Sequence, residues 1–208
     1  KRNFMYNQIV IITIGDRKLN FTKDLNQKEN ELRNNIINKI CENPNKKLDV
    51  IPEYKSLIDK KVITTENDKI KCIYPISSEK TNKLVYTNKS KEPLFAMCAI
   101  DAIGIYYTTS LNILILSEDE LTKEKIKLEI KDNKIINHNK SNIYISYKDV
   151  CQKEDCDKNC CPYIHFFTSK NNAENYLNSL PNKESHKILN LKQAKEISKQ
   201  LFENNNLS

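Results

Sequence analysis

The sequence has very few glycines, and this scarcity argues against the common nucleotide-binding loops. Gly15 and Gly104 are the two glycines among 208 residues. A phosphate-binding loop or a dinucleotide-binding turn needs several glycines in a short run, because the backbone must approach the phosphates closely. We therefore do not expect a nucleotide-dependent enzyme, and we expect no organic cofactor.

Long apolar runs are also absent. No segment approaches the ~18 consecutive apolar residues that are needed to cross a bilayer. The apolar run at residues 9–14 continues into Gly15, Asp16 and Arg17 without a cleavage site of small residues. We interpret this run as a strand or a short buried helix rather than a signal peptide, and we expect a soluble protein with no membrane partner.

The charge is positive but is not concentrated in one segment. The 34 lysines and arginines outnumber the 27 aspartates and glutamates, which gives a formal net charge of +7. The lysines are scattered among asparagines and isoleucines along the whole chain. A charge spread in this way indicates solubility and non-specific attraction, so we expect no nucleic-acid partner.

The cysteines do not form the pattern of a secreted disulfide framework. There are seven, an odd number, and their spacing is irregular. A chain of this length buries a sufficient core without disulfides. The pattern therefore favours free thiols and the reducing cytoplasm.

The first 90 residues predict a small winged-helix-like domain. Apolar residues recur every three or four positions over residues 27–41, which predicts a helix. A second short helix is expected over residues 51–58, with Pro52 in its first turn. Alternating apolar and polar residues then predict two strands of a β-hairpin, at 69–74 and 83–86. We expect this wing to pack on the rest of the protein rather than to bind DNA.

Residues 91–208 predict a second domain, an antiparallel sheet with flanking helices, so the chain as a whole is assigned to the α+β class. The apolar segment 94–107 predicts a buried helix. The other predicted elements are three strands of one sheet at 111–116, 125–130 and 142–147, a strand at 165–167, helices at 172–180 and 192–202, and a frayed polar tail at 203–208.

A thiol and a carboxylate lie close together in the apolar segment. Cys98 and Asp101 are three residues apart. On a helix, this spacing places both side chains on one face, with their Cβ atoms about 5–6 Å apart. The carboxylate can then reach the proton of the thiol or a metal bound to it. The alternative is a structural pair, in which Cys98 is a small core residue and Asp101 accepts a hydrogen bond from a backbone amide.

A second group of thiols lies further along the chain. It comprises Cys151, Cys156, Cys160 and Cys161, with His165 close behind. Four of these five residues are enough for a structural zinc site, although two adjacent cysteines do not easily point at one tetrahedral centre. A disulfide between Cys151 and Cys156 is a further alternative. Thiolates select soft metals, so the two groups of thiols together suggest chemistry on a soft metal or its carbon compound.

Residues 94–202 resemble the organomercurial (alkylmercury) lyases, the MerB-like family. The similar segments are residues 95–102, which read Phe-Ala-Met-Cys-Ala-Ile-Asp-Ala, the pair Cys160 and Cys161 followed by His165-Phe166-Phe167, and residues 173–177. The resemblance implies a carbon–mercury lyase with Cys98, Asp101 and one cysteine of the Cys160/Cys161 pair in the active site. It also implies that Cys98, Cys161 and Asp101 hold the product metal ion.

The second catalytic thiol depends on how the segment is aligned. Family members commonly have two adjacent cysteines followed by two residues and then the histidine, whereas three residues separate Cys161 from His165 here. Counting back from His165 without a gap assigns Cys161, and an insertion would assign Cys160. The chain departs from the family in two other places. Residues 117–120 contain no cysteine where mercury-resistance enzymes often have a structural one, and Cys151 and Cys156 are additional.

The resemblance and the residues together lead to a mechanistic hypothesis. Asp101 takes a proton from a thiol, a second sulfur joins the metal, and the proton passes to the departing carbon. The products are a hydrocarbon and a thiolate-bound metal ion. The implied partners are an organometallic substrate, low-molecular-weight thiols that release the product, and a metal-ion reductase or exporter that receives it in detoxification. His165 is interpreted as a structural residue, and the alternative function is a non-catalytic protein for metal binding, transfer or sensing.

Overall fold

The computed structural model describes residues 20–149 and 155–203. Three expectations lie outside this part of the chain: the element at residues 9–14, the frayed tail after Glu203, and the roles considered for Cys151. Among the helices in the described ranges, none is long and apolar enough to cross a membrane.

Both predicted N-terminal helices are confirmed. Helix α1 spans Gln27–Glu42, and it begins with a capping box in which the Asn26 side chain accepts a hydrogen bond from the backbone N–H of Glu29 at 3.0 Å. Its buried residues, among them Ile36 and Ile40, face the core. Helix α2 (Lys55–Asp59) follows a short 3₁₀ turn at Pro52–Tyr54.

The predicted hairpin exists but uses different strands. Strands β1 (Ile63–Glu66) and β2 (Lys69–Ile73) pair antiparallel around Asn67 and Asp68, which have φ values of 49° and 57°. Positive φ at both turn residues suits the right-handed twist of a tight hairpin. The expectation that residues 69–74 pair with 83–86 is therefore wrong. Strand β2 pairs on its other side with β3 (Ile76–Ser77), so the hairpin is part of a larger sheet.

This larger sheet contains strands from both predicted domains. The further strands are β4 (Leu84–Tyr86), β5 (Leu94–Ala96), β6 (Ile113–Glu118), β7 (Lys125–Lys131) and β8 (Lys134–Asn137). Within the described residues the order is β1-β2-β3-β5-β4-β6-β7-β8, and the paired neighbours are antiparallel. Because β5 lies between β3 and β4, the sheet continues across residue 90. The division into domains 1–90 and 91–208 stays a prediction.

The apolar segment 94–107 is not one helix. Its first residues form strand β5, and the helix that follows, α3, spans Ala99–Thr109. Cys98 adopts an extended backbone with φ −143° and caps the helix. The segment has few polar residues, so its periodicity did not show where the strand ends and the helix begins.

A second sheet has three strands in the described part of the chain. Strand β9 (Tyr144–Lys148) lies between β10 (Phe166–Phe167) and β11 (His186–Asn190). The expectation that residues 142–147 join the sheet of β6 and β7 is therefore wrong, and β8 occupies the place beside β7. The predicted strand at 165–167 and the two C-terminal helices are confirmed, as β10, α5 (Lys170–Asn178) and α6 (Leu191–Phe202). A short helix, α4 (Cys156–Asn159), precedes β10.

Helix α6 packs closely against α3 and holds it in place. A Cβ atom built on Gly104 would lie 2.2 Å from Cδ2 of Phe202, so any larger residue at this crossing would force the ring of Phe202 to move. The hydroxyl of Ser198 donates a hydrogen bond to the carbonyl of Ile100 at 3.0 Å. These contacts fix the first turn of α3, which carries Cys98 and Asp101.

Candidate active site

Cys98 and Asp101 lie at the buried start of helix α3. Their relative exposures are 2% and 3%. Cys98 is the residue that caps the helix, and its sulfur accepts a hydrogen bond from the backbone N–H of Asp101 at 3.4 Å. A free N–H at the start of a helix favours a negatively charged partner. The backbone therefore stabilises Cys98 in its thiolate form.

Cys161 is brought to the same place by a 3₁₀ turn, Cys161–Tyr163. The backbone N–H of Ala99 donates a hydrogen bond to the carbonyl of Ile164 at 3.1 Å, which joins the end of this turn to the start of α3. His165 supports the turn as well, because its Nε2 lies 2.8 Å from the carbonyl oxygen of Pro162. The two halves of the site are thus connected through the backbone.

The two thiols and the carboxylate form one compact group. The sulfur atoms of Cys98 and Cys161 and a carboxylate oxygen of Asp101 all lie within 4.8 Å of one another. The thiol of Cys161 donates a hydrogen bond to Oδ2 of Asp101 at 3.5 Å. Two sulfurs at this separation can bind one soft metal ion, with a carboxyl group beside it that can exchange protons with either thiol.

Burial decides the protonation of this group. Burial raises the pKa of Asp101 to about 7, although hydrogen bonds from Cys98 and Cys161 act in the opposite direction. Burial also raises the pKa of Cys98, and interaction with the neighbouring thiol of Cys161 opposes that effect. The pKa of Cys161 is raised well above its ordinary value by its interaction with the sulfur of Cys98 and by burial. Near neutral pH, Asp101 can therefore both accept and donate a proton, and Cys161 keeps its proton longer than Cys98 does.

Lys83 is a charged residue of the site that the sequence did not indicate. It is 6% exposed, and its ammonium group donates a hydrogen bond to Oδ1 of Asn82 at 2.9 Å. Burial lowers the pKa of Lys83, while the charges of Cys98 and Asp101 raise it, and Lys83 in turn lowers the pKa of Asp101. Scattered lysines are so frequent in this chain that no pattern distinguished this one.

The other described members of the second thiol group, Cys156, Cys160 and His165, are not part of this three-residue group. The sulfur of Cys160 is directed towards the carbonyl of Asp149, at 4.0 Å. The Nδ1 atom of His165 lies 3.0 Å from a carboxylate oxygen of Glu120. Among the residues described, the group with metal-ligand geometry is Cys98, Asp101 and Cys161. The zinc set considered from the sequence is not gathered in this part of the chain.

Comparison with known proteins identifies a matching family and a similar fold. A protein-family model described as "MerB: Alkylmercury lyase" matches residues 76–203, which is more than half of the chain. No curated protein matches the sequence. A solved structure titled "Crystal structure of the mercury-bound form of MerB2" has a similar fold, with a TM-score of 0.67 and 18% sequence identity over 86% of this chain and 92% of that chain.

Proposed function

The chain belongs to the alkylmercury lyase family, and from this premise we propose that it cleaves carbon–mercury bonds by protonolysis with Cys98, Cys161 and Asp101. The family is one of carbon–mercury lyases, so the chain is an organometallic lyase with an organomercurial substrate. The observation that carries the residue assignment is the grouping of two thiols and a carboxylate within 4.8 Å.

The first step is binding of the organomercurial to Cys98. Its sulfur accepts a hydrogen bond from the backbone N–H of Asp101 at 3.4 Å. This donor stabilises the thiolate, which is the form that binds a metal. Cys98 therefore displaces the weak ligand that accompanies the organomercury cation and forms the first sulfur–mercury bond.

The second step moves a proton from Cys161 to the carbon. The thiol of Cys161 already donates a hydrogen bond to Oδ2 of Asp101. When its sulfur binds mercury, its proton passes to Asp101, whose pKa of about 7 suits a group that must first accept and then donate. Asp101 then protonates the carbon as the carbon–mercury bond breaks.

The atoms balance without a change in the oxidation state of mercury. The electron pair of the carbon–mercury bond forms the new carbon–hydrogen bond, which gives the hydrocarbon. Hg(II) remains bound to the sulfurs of Cys98 and Cys161. Of the two thiol protons, one is on the hydrocarbon and the other is released to solvent.

We assign the second catalytic thiol to Cys161 rather than Cys160. The sulfur of Cys161 is hydrogen-bonded to Asp101, whereas the sulfur of Cys160 faces the carbonyl of Asp149. We further propose that low-molecular-weight thiols remove Hg(II) from the protein, and that a reductase or an exporter receives it.

Release of benzene from phenylmercury, with a small thiol in excess, tests this assignment. We expect Cys98→Ser and Cys161→Ser to lose turnover, because serine does not bind mercury strongly. Cys160→Ser is the matched control, since it removes the adjacent thiol, and it is expected to retain turnover. Loss of turnover in Cys160→Ser with retention in Cys161→Ser would reverse the assignment. Stoichiometric binding of phenylmercury by the wild-type protein without any benzene would favour a non-catalytic metal-binding role.

A further inference from the structure

Two buried cysteines outside the active site form a pair of their own. Cys156 begins helix α4, and Cys160 follows the last residue of this helix. The backbone N–H of Cys160 donates a hydrogen bond to the carbonyl of Cys156 at 3.0 Å, so the intervening turn is closed. Residues four apart on a helix lie on the same face. The two side chains are hydrogen-bonded to each other, and their relative exposures are 8% and 0%.

This pair lies within electrostatic range of the active site. The negative charges of Asp101 and Cys98 both act on the thiol of Cys156. The charges of Asp101, Cys98 and Asp157 also act on Cys72, which is fully buried on β2. A further thiol therefore lies within electrostatic range both of the active site and of helix α4.

One thiol of the pair, Cys156, lies between two residues that reach the protein surface. The residues that flank Cys156, Asp155 and Asp157, line an open surface depression together with Lys61, Lys71 and Lys158. Of the four thiols, Cys156 is the most exposed, at 8%, whereas Cys160 is 0% exposed, Cys98 2% and Cys161 6%. A thiol acceptor in solution can approach helix α4 through this depression.

We propose that Cys156 and Cys160 form a second Hg(II) site, which takes the product ion from Cys98 and Cys161. This inference rests on the proposed function for the origin of the ion. Two thiolates on one turn form a chelating site for a soft cation. Occupation of the second site would free the catalytic thiols for another substrate molecule.

The transfer is a ligand exchange without oxidation or reduction. The sulfurs of Cys156 and Cys160 replace those of Cys98 and Cys161 on mercury, one at a time. Two sulfur–mercury bonds break and two form, and Hg(II) keeps its charge. The protons that leave Cys156 and Cys160 are taken up by Cys98 and Cys161.

Direct loading with Hg(II) tests the second site independently of lysis. The protein is mixed with excess Hg(II) and a larger excess of cysteine, which competes for sites with a single thiol, and bound mercury is counted after desalting. We expect two ions per wild-type chain and one ion in Cys156→Ser, Cys160→Ser or Cys98→Ser. Cys41→Ser and Cys151→Ser are the matched controls, and each is expected to retain two ions.

Three results of the mercury count would overturn the second site. They are a single ion in the wild-type protein, two ions in Cys156→Ser, and a fall to one ion in Cys151→Ser, which would assign the site to a different pair. One zinc ion per purified chain that is lost in Cys156→Ser would also overturn it, because the pair would then belong to a structural zinc site.

Sequential additions of phenylmercury without any external thiol test the transfer. We expect the wild-type protein to release two benzene molecules per chain, one after each equivalent added, and Cys156→Ser to release one. One benzene in both proteins would refute the transfer and leave the lyase assignment intact. No benzene from the wild-type protein would refute the proposed lysis instead, and the Hg(II) count would still decide whether the second site exists.

Discussion

At Asp101, burial acts against the negative charge that the carboxyl group would carry in water. Burial raises its pKa to about 7, and Lys83 and the two thiols reduce that effect without cancelling it. A carboxyl group with this pKa is suited to receive a proton from a thiol and to deliver it to carbon near neutral pH. The same burial must reduce the stability of the folded protein when Asp101 is ionised.

The first prediction concerns that effect on stability. The pKa of Asp101 is raised in the folded state, so folding takes up a proton between about pH 4 and pH 7, and stability falls as the pH rises through this window. Asparagine resembles the neutral carboxyl group. We therefore expect Asp101→Asn to raise the free energy of unfolding at pH 8 by a few kcal/mol at most. At pH 4.5 we expect the two proteins to have nearly the same free energy of unfolding. Urea unfolding of both proteins at the two pH values measures this difference, and equal differences at both would contradict the raised pKa.

The second prediction concerns Lys83. Its positive charge lowers the pKa of Asp101, so Lys83→Met should move the titration of the Asp101 carboxyl group to higher pH. Lys83→Arg keeps the charge and is the control. Carbon NMR of protein labelled at the aspartate carboxyl groups follows the titration. An unchanged midpoint in Lys83→Met would show that Lys83 does not act on Asp101.

The candidate catalytic residues could be proposed from the sequence, but their surroundings could not. Residue type, spacing and resemblance to a known family pointed to Cys98, Asp101 and the Cys160/Cys161 pair. Spacing alone did not separate Cys160 from Cys161, since adjacent side chains point in different directions that depend on the turn. Lys83 is brought to the site by the pairing of β4 with β5, a contact that its own sequence neighbours do not reveal.

At the scale of elements, the position of helix α3 depends on its close approach to α6. Gly104→Ala is expected to destabilise the protein by about 1–3 kcal/mol, because the added Cβ would lie 2.2 Å from the ring of Phe202. The higher helix propensity of alanine offsets part of this cost. In the double variant Gly104→Ala/Phe202→Leu, the cost of the alanine should be smaller than in the single variant. Urea unfolding of the four proteins measures the coupling, and additive effects would contradict the packing argument.

Asp119 connects the turn after β6 with the segment after β10. Its carboxylate accepts hydrogen bonds from the backbone N–H groups of Leu121 and Thr122 on one oxygen, and from Thr168 and Asn172 on the other. It lies in residues 117–120, where the sequence lacks the cysteine that related enzymes often have. The carboxylate therefore supplies a structural connection at this place.

The prediction for Asp119 is a loss of stability that depends on pH. Burial acts to raise its pKa, but the hydrogen bonds outweigh burial and lower it. The stabilisation is therefore present above about pH 4 and is lost as the pH falls through the lowered folded-state pKa. Asp119→Asn should destabilise the protein at pH 7 by at least about 1.5 kcal/mol, and by less at pH 3. Thermal or urea unfolding of both proteins between pH 3 and pH 7 measures the difference in stability. A difference that does not change with pH would contradict the lowered pKa of Asp119.

Elements with a clear periodicity of apolar residues were predicted well. The pairing of strands that are far apart in the sequence was not. Helices α1, α5 and α6 have polar residues that mark one face, so their positions followed from the sequence. Strand β9 looked like a continuation of β6 and β7, because the sequence pattern of a strand does not state which strand it pairs with. Strands of two or three residues, such as β3, give no period at all.

At the scale of the whole molecule, one sheet connects the first part of the chain to the catalytic part. Strand β5 is inserted between β3 and β4, so the predicted boundary at residue 90 falls inside a continuous sheet. The family model likewise begins at residue 76, before that boundary. We expect far-ultraviolet and tyrosine near-ultraviolet circular dichroism to show coincident urea transitions. If one of the two signals changed at a lower urea concentration than the other, the transitions would not coincide, and two independently folding domains would be favoured.

The most direct test of the central claim is a single-turnover experiment with protein in excess over phenylmercury, comparing the wild-type protein with Asp101→Asn. The wild-type protein should release one benzene for each phenylmercury added. Asp101→Asn keeps both thiols and should hold phenylmercury while releasing benzene about 10²–10⁴ times more slowly. Benzene release at the wild-type rate by Asp101→Asn would contradict the role of Asp101 as the proton carrier, and no release by the wild-type protein would contradict the lysis itself.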